Sequence, residues 1–198
     1  MVKQLSTKFV NYLIVLSGMD VHDEDMEVYI YGLECFFNTF VTFILLSLWG
    51  CITHTLLLTW LWVVAFSFLR KFIGGAHAPT QISCIISSVI LGCMNQWAIL
   101  NVNQSIGSYI LCICLCVILA PHHNSKLSLS QKQRWKYKLA SIIIICIGMY
   151  SYAVLGSSNI TSTIHYAYLC GCTLLLVAFI RRWQTEKVRW LKNIGQQD

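Results

Sequence analysis

The sequence predicts an all-α protein, a polytopic membrane helical bundle of about six transmembrane helices with an amphipathic helix at its N-terminus. Of the 198 residues, 57% are hydrophobic and only 11% are charged, whereas about 25% of residues are charged in an ordinary soluble domain. Six apolar runs each approach the ~20 residues that span a bilayer core. We therefore predict a single integral-membrane domain over residues 1–198. The six runs are Leu33–Trp49, His54–Leu69, Ile82–Leu100, Ile106–Ala120, Leu139–Gly156 and Ile164–Ile180.

Residues 1–20 form the predicted amphipathic helix, because apolar side chains recur there at the spacing of one helical face. The segment lacks the pattern of a cleavable signal peptide. The apolar face either lies on the membrane surface or packs against the bundle, and the sequence allows both arrangements. The apolar positions are Leu5, Phe9, Tyr12, Leu13 and Leu16.

All 14 lysine and arginine residues lie in alternate connections of the predicted bundle, which spans residues 33–180. They precede the first run, follow the second and the fourth, and fill a basic tail over residues 181–198. The positive-inside rule places such connections in the cytoplasm. Both termini and the segment after the second run are therefore predicted on the cytoplasmic side of a cell membrane.

The candidate chemistry lies in the segment between the second and third runs. Gly74 and Gly75 favour a tight turn, and Pro79 suits the first turn of a new helix. His77 and Cys84 are seven residues apart, so a continuous helix would place them on one face with Cα atoms about 10 Å apart. If the glycine turn folds His77 back, its imidazole reaches the thiol and holds it as the nucleophilic thiolate. We predict His77 as the base and Cys84 as the nucleophile.

Glu34 stands at the entrance of the first apolar run, where an ionised carboxylate is costly unless it faces the bundle interior or the headgroup layer. It either pairs with Arg70, Lys71 or His77, or stays at the water boundary. The imidazole of His77 has several candidate orienting groups: Glu34, Gln81, a backbone carbonyl or water.

The other cysteines are interpreted as packing residues, because most are embedded in apolar runs where a thiol behaves as a small hydrophobic group. Cys112, Cys114 and Cys116 do not form a metal motif, since residues two apart on a helix point about 200° from each other. No metal site and no cofactor are predicted.

The sequence resembles the accessory gene regulator B (AgrB) family, through Arg70, the Gly74–Gly75 turn, His77, Cys84 and the Y-G-L-E run that ends at Glu34. The resemblance implies a membrane cysteine endopeptidase of Gram-positive quorum sensing. Its substrate would be a signal-peptide precursor, an AgrD-like propeptide, which is held as a thioester on the cysteine and then closes into a thiolactone or lactone. Arg70, Gly74, Gly75 and Glu34 would support the site. Nucleic acid is not an expected partner, and a homodimer is left open.

The segment S-Q-K-Q-R-W-K-Y-K is predicted as a basic loop between the fourth and fifth runs. Its cations are explained either by topology and contact with anionic membrane lipids, or by attraction of the precursor. The family resemblance implies that the C-terminal part of that precursor is acidic, which favours electrostatic binding. The candidate substrate-binding residues are Lys132, Arg134, Lys136 and Lys138.

A non-enzymatic membrane exporter of a small peptide is the alternative function, since six short spans and Glu34 would also serve a transporter. It leaves His77 and Cys84 unexplained. The two halves of the chain also lack the internal repeat that many transporters have.

Overall fold

The computed structural model describes residues 2–18, 22–74, 81–121 and 130–194. This part of the chain is helical and contains no β-strand, so the predicted all-α bundle is confirmed. The helices are α1 (Val2–Ser17), α2 (Asp23–Ile52), α3 (Leu56–Ile73), α4 (Gln81–Cys93), α5 (Asn95–Asn101), α6 (Ile106–Leu119), α7 (Gln131–Leu155) and α8 (Asn159–Ile194).

Five helical segments are long and apolar enough to cross a membrane, and the sixth predicted span, α6, is shorter. The 14 residues of α6 cover about 21 Å at 1.5 Å per residue, less than the ~30 Å of a bilayer core. The predicted third span is among the five, as Ile82–Asn101, although Met94 divides its helix into α4 and α5. Helices α2 and α8 extend beyond their apolar runs at both ends. The stretch predicted as a basic tail after residue 180 continues α8 as far as Ile194.

The N-terminal helix α1 packs on α2 through a narrow face, on which Ser6 and Val10 are buried. The predicted apolar face points elsewhere: Phe9, Tyr12 and Leu16 are 46%, 62% and 64% exposed. The helix therefore packs on the bundle through one face and leaves apolar side chains exposed on another, and contact of those side chains with the membrane surface stays a prediction.

The prediction of a basic loop is wrong, because residues 131–138 form the first turns of α7. Ser130 caps the helix: its hydroxyl accepts from the backbone N–H of Gln133, and the Gln133 side chain accepts from the backbone N–H of Ser130. This reciprocal capping box satisfies two amide groups that a helix N-terminus otherwise leaves without partners. The cations therefore occupy fixed faces of a helix.

The main core is built around α8, which packs against α3, α5, α6 and α7. Cys112 and Cys116 are buried in this core and Cys114 is exposed, as the helical spacing predicts. Gly171 permits the close approach of α3, since a Cβ there would lie 3.1 Å from the side chain of Leu69. Other members of the core are Ile73, Tyr109, Ile145, Tyr168, Cys172 and Leu175.

The basic C-terminal end of α3 and the basic N-terminal end of α7 lie together, beside the end of α6. The rings of Phe72, in α3, and Tyr137, in α7, are 5.8 Å apart. Lys138 Nζ, also in α7, donates a hydrogen bond to the carbonyl of Val117, near the end of α6. The cations that follow the second and fourth apolar runs are thus neighbours at one end of the bundle.

Candidate functional site

A cavity of about 610 Å³ lies between α2, α3 and α4. Helices α3 and α4 both pack on α2 and make few contacts with each other, which leaves the space open. Its lining mixes polar and apolar side chains: Cys35, Asn38, Thr39, Thr42 and Leu46 from α2; Trp62, Val63, Phe66, Ser67, Arg70 and Lys71 from α3, followed by Gly74; and Cys84, Ile85 and Ser88 from α4.

Cys84 lies in the first turns of α4, is half-buried and carries a free thiol. Arg70 lines the same cavity and is close enough to Cys84 for an electrostatic interaction between the two side chains. The structure therefore brings together the predicted nucleophile and one of its predicted supporting residues. A cation beside a cysteine favours the reactive thiolate form.

Gly74 ends α3 and lies at the edge of the cavity. Its φ of 71° lies in a region that favours glycine, and its N–H closes the helix on the carbonyl of Arg70 at 3.0 Å. The predicted turn therefore begins where expected. His77, Gly75 and Pro79 lie outside the described residues, and α4 is described from Gln81.

Glu34 lies within α2, one residue before the cavity residue Cys35. Its side chain is half-buried, and its Oε1 has no hydrogen-bond partner among the residues that the structure describes. Pairing of the Glu34 carboxylate with Arg70, Lys71 or His77 stays a prediction.

Sequence reasoning missed the polar wall of the cavity. Asn38 and Thr42 are one helical turn apart on α2, and Ser67 and Ser88 face the same space from α3 and α4. The available signal was uncharged polar residues recurring at helical spacing within apolar runs. Within the described part of the chain, the buried Oδ1 of Asn38 has no hydrogen-bond partner.

The cavity runs from a basic mouth to an apolar floor. The exposed Lys71 and the half-buried Gly74 lie at one end, called here the mouth, and the fully buried Trp62 and Leu46 lie at the other, called the floor. The twelve residues from Trp62 to Gly74 correspond to about 18 Å along α3. A Cβ on Gly92 of α4 would lie 2.6 Å from Leu46 and 3.1 Å from Trp62, so α2, α3 and α4 converge at the floor.

The four predicted substrate-binding cations divide into two pairs on α7. Lys132, Arg134 and Lys136 are exposed and Lys138 is half-buried. Of the four, Arg134 and Lys138 line a separate pocket against the end of α6. None of the four lines the Cys84 cavity. Helix α7, which carries them, is nevertheless close to the Cys84 cavity, because Tyr137 contacts Phe72, the residue next to the cavity residue Lys71.

The chemistry available at the cavity is that of a thiol nucleophile beside a cation, in a cleft lined by both polar and apolar side chains. Among the described residues, no group of three or more histidine, cysteine or acidic side chains is placed to hold a metal ion.

Comparison with curated proteins and with solved structures gives no match. A family model described as accessory gene regulator B, AgrB, matches residues 6–185. Because this match covers nearly all of the chain and includes both His77 and Cys84, the protein belongs to the AgrB family.

Proposed function

We propose that the chain is a membrane cysteine endopeptidase that processes the signal-peptide precursor of bacterial peptide quorum sensing. The observation that carries the proposal is the position of Cys84, whose thiol lines the cavity beside Arg70. Family membership supports the same function. The substrate is an AgrD-like propeptide, and the enzyme acts from the cytoplasmic side of the cell membrane.

The first step forms an acyl-enzyme. His77 takes the proton of the Cys84 thiol, and Sγ attacks the carbonyl carbon of the scissile peptide bond. The C–N bond then breaks, and His77 returns its proton to the departing amine. The N-terminal part of the precursor is left as a thioester on Cys84.

The second step closes the ring without water. A thiol or hydroxyl of the bound peptide attacks the thioester carbonyl, and the Cys84 sulfur leaves and regains a proton. Intramolecular attack is favoured when the two groups are held together in a cleft that excludes water. Exchange of one thioester for another is nearly balanced, so departure of the cleaved C-terminal fragment drives the reaction forward.

Cavity residues near Cys84 supply the electrostatics of both steps. Arg70 stabilises the thiolate. The first backbone N–H groups of α4 have no partners within their own helix, so they are available to an oxyanion that forms at the cysteine. Gly74 shapes the turn that leads towards His77, and Glu34 orients that imidazole from α2.

The remaining cavity surface accommodates the peptide. The polar side chains of Asn38, Ser67 and Ser88 offer hydrogen bonds to its main chain, and Phe66 and Trp62 accommodate an apolar side chain. The exposed Lys132 and Lys136 attract an acidic part of the precursor to this end of the bundle.

The experiment is intact-mass measurement of the purified protein with candidate precursors. We expect a mass increase equal to the N-terminal part of the precursor, located on Cys84, and release of the C-terminal fragment. Cys84→Ala and His77→Ala should abolish both while leaving the protein inserted in membranes. Cys35→Ala is the matched control, because Cys35 lines the same cavity and should retain cleavage. Full cleavage by Cys84→Ala would exclude the proposal.

The exporter alternative makes a different forecast for the same protein in detergent, where there are no compartments. An exporter should leave the precursor intact there. The peptidase should cut it.

A further inference from the structure

A second pocket, of about 580 Å³, lies where α6 ends and α7 begins. Arg134 and Lys138, one turn apart on α7, line it together with Trp135, and Lys138 Nζ lies 5.6 Å from the centre of the Trp135 ring. The described lining residues of the pocket carry two positive charges and no negative one. The rest of the lining is Ile118, Leu119, Ala120, Pro121 and Gln131.

The short length of α6 bears on how deep this pocket lies in a membrane. A helix of about 21 Å ends inside a ~30 Å hydrocarbon core unless the bilayer thins around it. The last carbonyls of a helix also lack partners of their own. Lys138 Nζ donates to one of them, the Val117 oxygen, at 2.6 Å. The cationic end of this side chain is therefore held at the level where α6 ends.

The outer surface beside the pocket is apolar. Ile118 is 74% exposed and Val117 is 44% exposed, on a helix whose composition suits a lipid surrounding. Trp135 is exposed as well, and tryptophan is enriched at membrane interfaces. A ligand with an anionic head and an apolar chain would match both parts of the surface.

We infer that this pocket binds the headgroup of an anionic phospholipid. The phosphate lies between Arg134 and Lys138, and an acyl chain follows Ile118 along α6. The guanidinium of Arg134 can bind two phosphate oxygens at once, and an ammonium has three donors, of which Lys138 uses one on Val117. The apolar surface beside the cations favours a lipid over a free anion or an acidic peptide.

The chain offers a charge-matched control for this site. At about 100° per residue, Lys132 and Lys136 are turned about 160° to 200° away from Arg134. They are exposed and do not line the pocket. Neutralising either pair removes two positive charges from the same turns of α7, but only one pair contacts the proposed lipid.

The experiment is native mass spectrometry of the protein in a neutral detergent, with phosphatidylglycerol or phosphatidylcholine added at equal concentration. We expect the unmodified protein and the K132Q/K136Q variant to retain phosphatidylglycerol in preference to phosphatidylcholine. R134Q should weaken its binding about 5-fold and R134Q/K138Q about 30-fold, the scale of one and two cations beside an anionic headgroup. Because Lys138 also caps α6, R134Q alone decides the matter if the double variant does not fold.

Several results would overturn the inference. Equal loss in both pairs of variants would indicate general electrostatic attraction, and no loss in R134Q would place the lipid elsewhere. Equal retention of phosphatidylcholine would show that the pocket does not recognise the net negative charge of the headgroup. Displacement of the lipid by an equal concentration of glycerol phosphate or of an acidic peptide would assign the pocket to that other ligand. Peptidase activity is not measured, so the outcome is independent of the proposed function.

Discussion

Gly92 closes the floor of the Cys84 cavity, and its replacement by alanine tests how tightly α4 packs there. The added Cβ would lie 2.6 Å and 2.8 Å from the two methyl groups of Leu46, whereas ordinary contact begins at 3.4 Å. Leu46 must therefore move by about 0.8 Å, the difference between 3.4 and 2.6 Å. The Trp62 ring, 3.1 Å from the same Cβ, restricts that movement.

The expected energetic effect combines two opposing terms. Overpacking of a fitted interface costs roughly 1–3 kcal/mol, and replacing glycine in a helix by alanine returns up to about 1 kcal/mol. We expect Gly92→Ala to lower the free energy of unfolding by about 0–3 kcal/mol. Gly32→Ala, on α2, is the control, because a Cβ there meets nothing within 4 Å, and it should be neutral or stabilising.

A double-mutant cycle with Leu46→Ala isolates the steric term. Leu46→Ala removes both methyl groups that the new Cβ would meet, so Gly92→Ala should become neutral or stabilising in that background. The coupling energy between the two positions should be about 1–3 kcal/mol, measured by denaturant unfolding in mixed micelles with far-UV circular dichroism. A coupling below about 0.5 kcal/mol would refute the inference that Gly92 sets the floor of the cavity.

Three further predictions use other parts of the chain. Gly148→Ala should lower the free energy of unfolding by roughly 1–3 kcal/mol, since the new methyl would overlap a buried tyrosine ring of α8; a neutral effect in the same unfolding assay would contradict the packing of α7 on α8. Reversing Lys132 and Lys136 to glutamate should raise the KM of precursor cleavage more than it lowers kcat. Added salt shortens the screening length, so it should lower the activity of the unmodified enzyme and not that of the reversed variant. Unchanged kinetics would leave these lysines without a substrate role. In intact cells, an impermeant thiol reagent should label a cysteine placed at Asn103 above the background of the parent protein, and should not label one at Gln131; the reverse pattern would invert the topology.

The membrane architecture could be predicted because hydropathy and charge are local properties of the sequence. Each apolar run is helical, the third as the two helices α4 and α5, and the cations that follow the second and fourth runs lie near each other. The ends of the helices were less predictable. Ser130 and Gln133 form a capping box at the start of what had been predicted as a loop, because polar residues can continue a helix into water as readily as they can end it.

The candidate site was only partly accessible from the sequence. The residue types and spacing around Cys84 predicted a nucleophile. The polar wall depends on the rotation of α2 relative to α3 and α4, which no local pattern determines. Asn38 and Ser88 are separated by 50 positions in the sequence and line one cavity only because α4 packs back on α2.

The stability of a polar cavity within an apolar bundle requires partners for its polar groups, since an unpaired buried group costs about 1–3 kcal/mol. On α2 the hydroxyl of Thr39 donates to the carbonyl of Cys35 at 2.9 Å, and that of Thr42 donates to the carbonyl of Asn38 at 2.8 Å. These threonines meet their requirements within their own helix, as hydroxyls in apolar helices often do. An asparagine side chain cannot be satisfied so simply, because it brings two donors and an acceptor. Within the described residues the Oδ1 of Asn38 and the Nε1 of Trp62, which lines the same cavity, have no partner, so a peptide or water that enters the cavity would supply one to each.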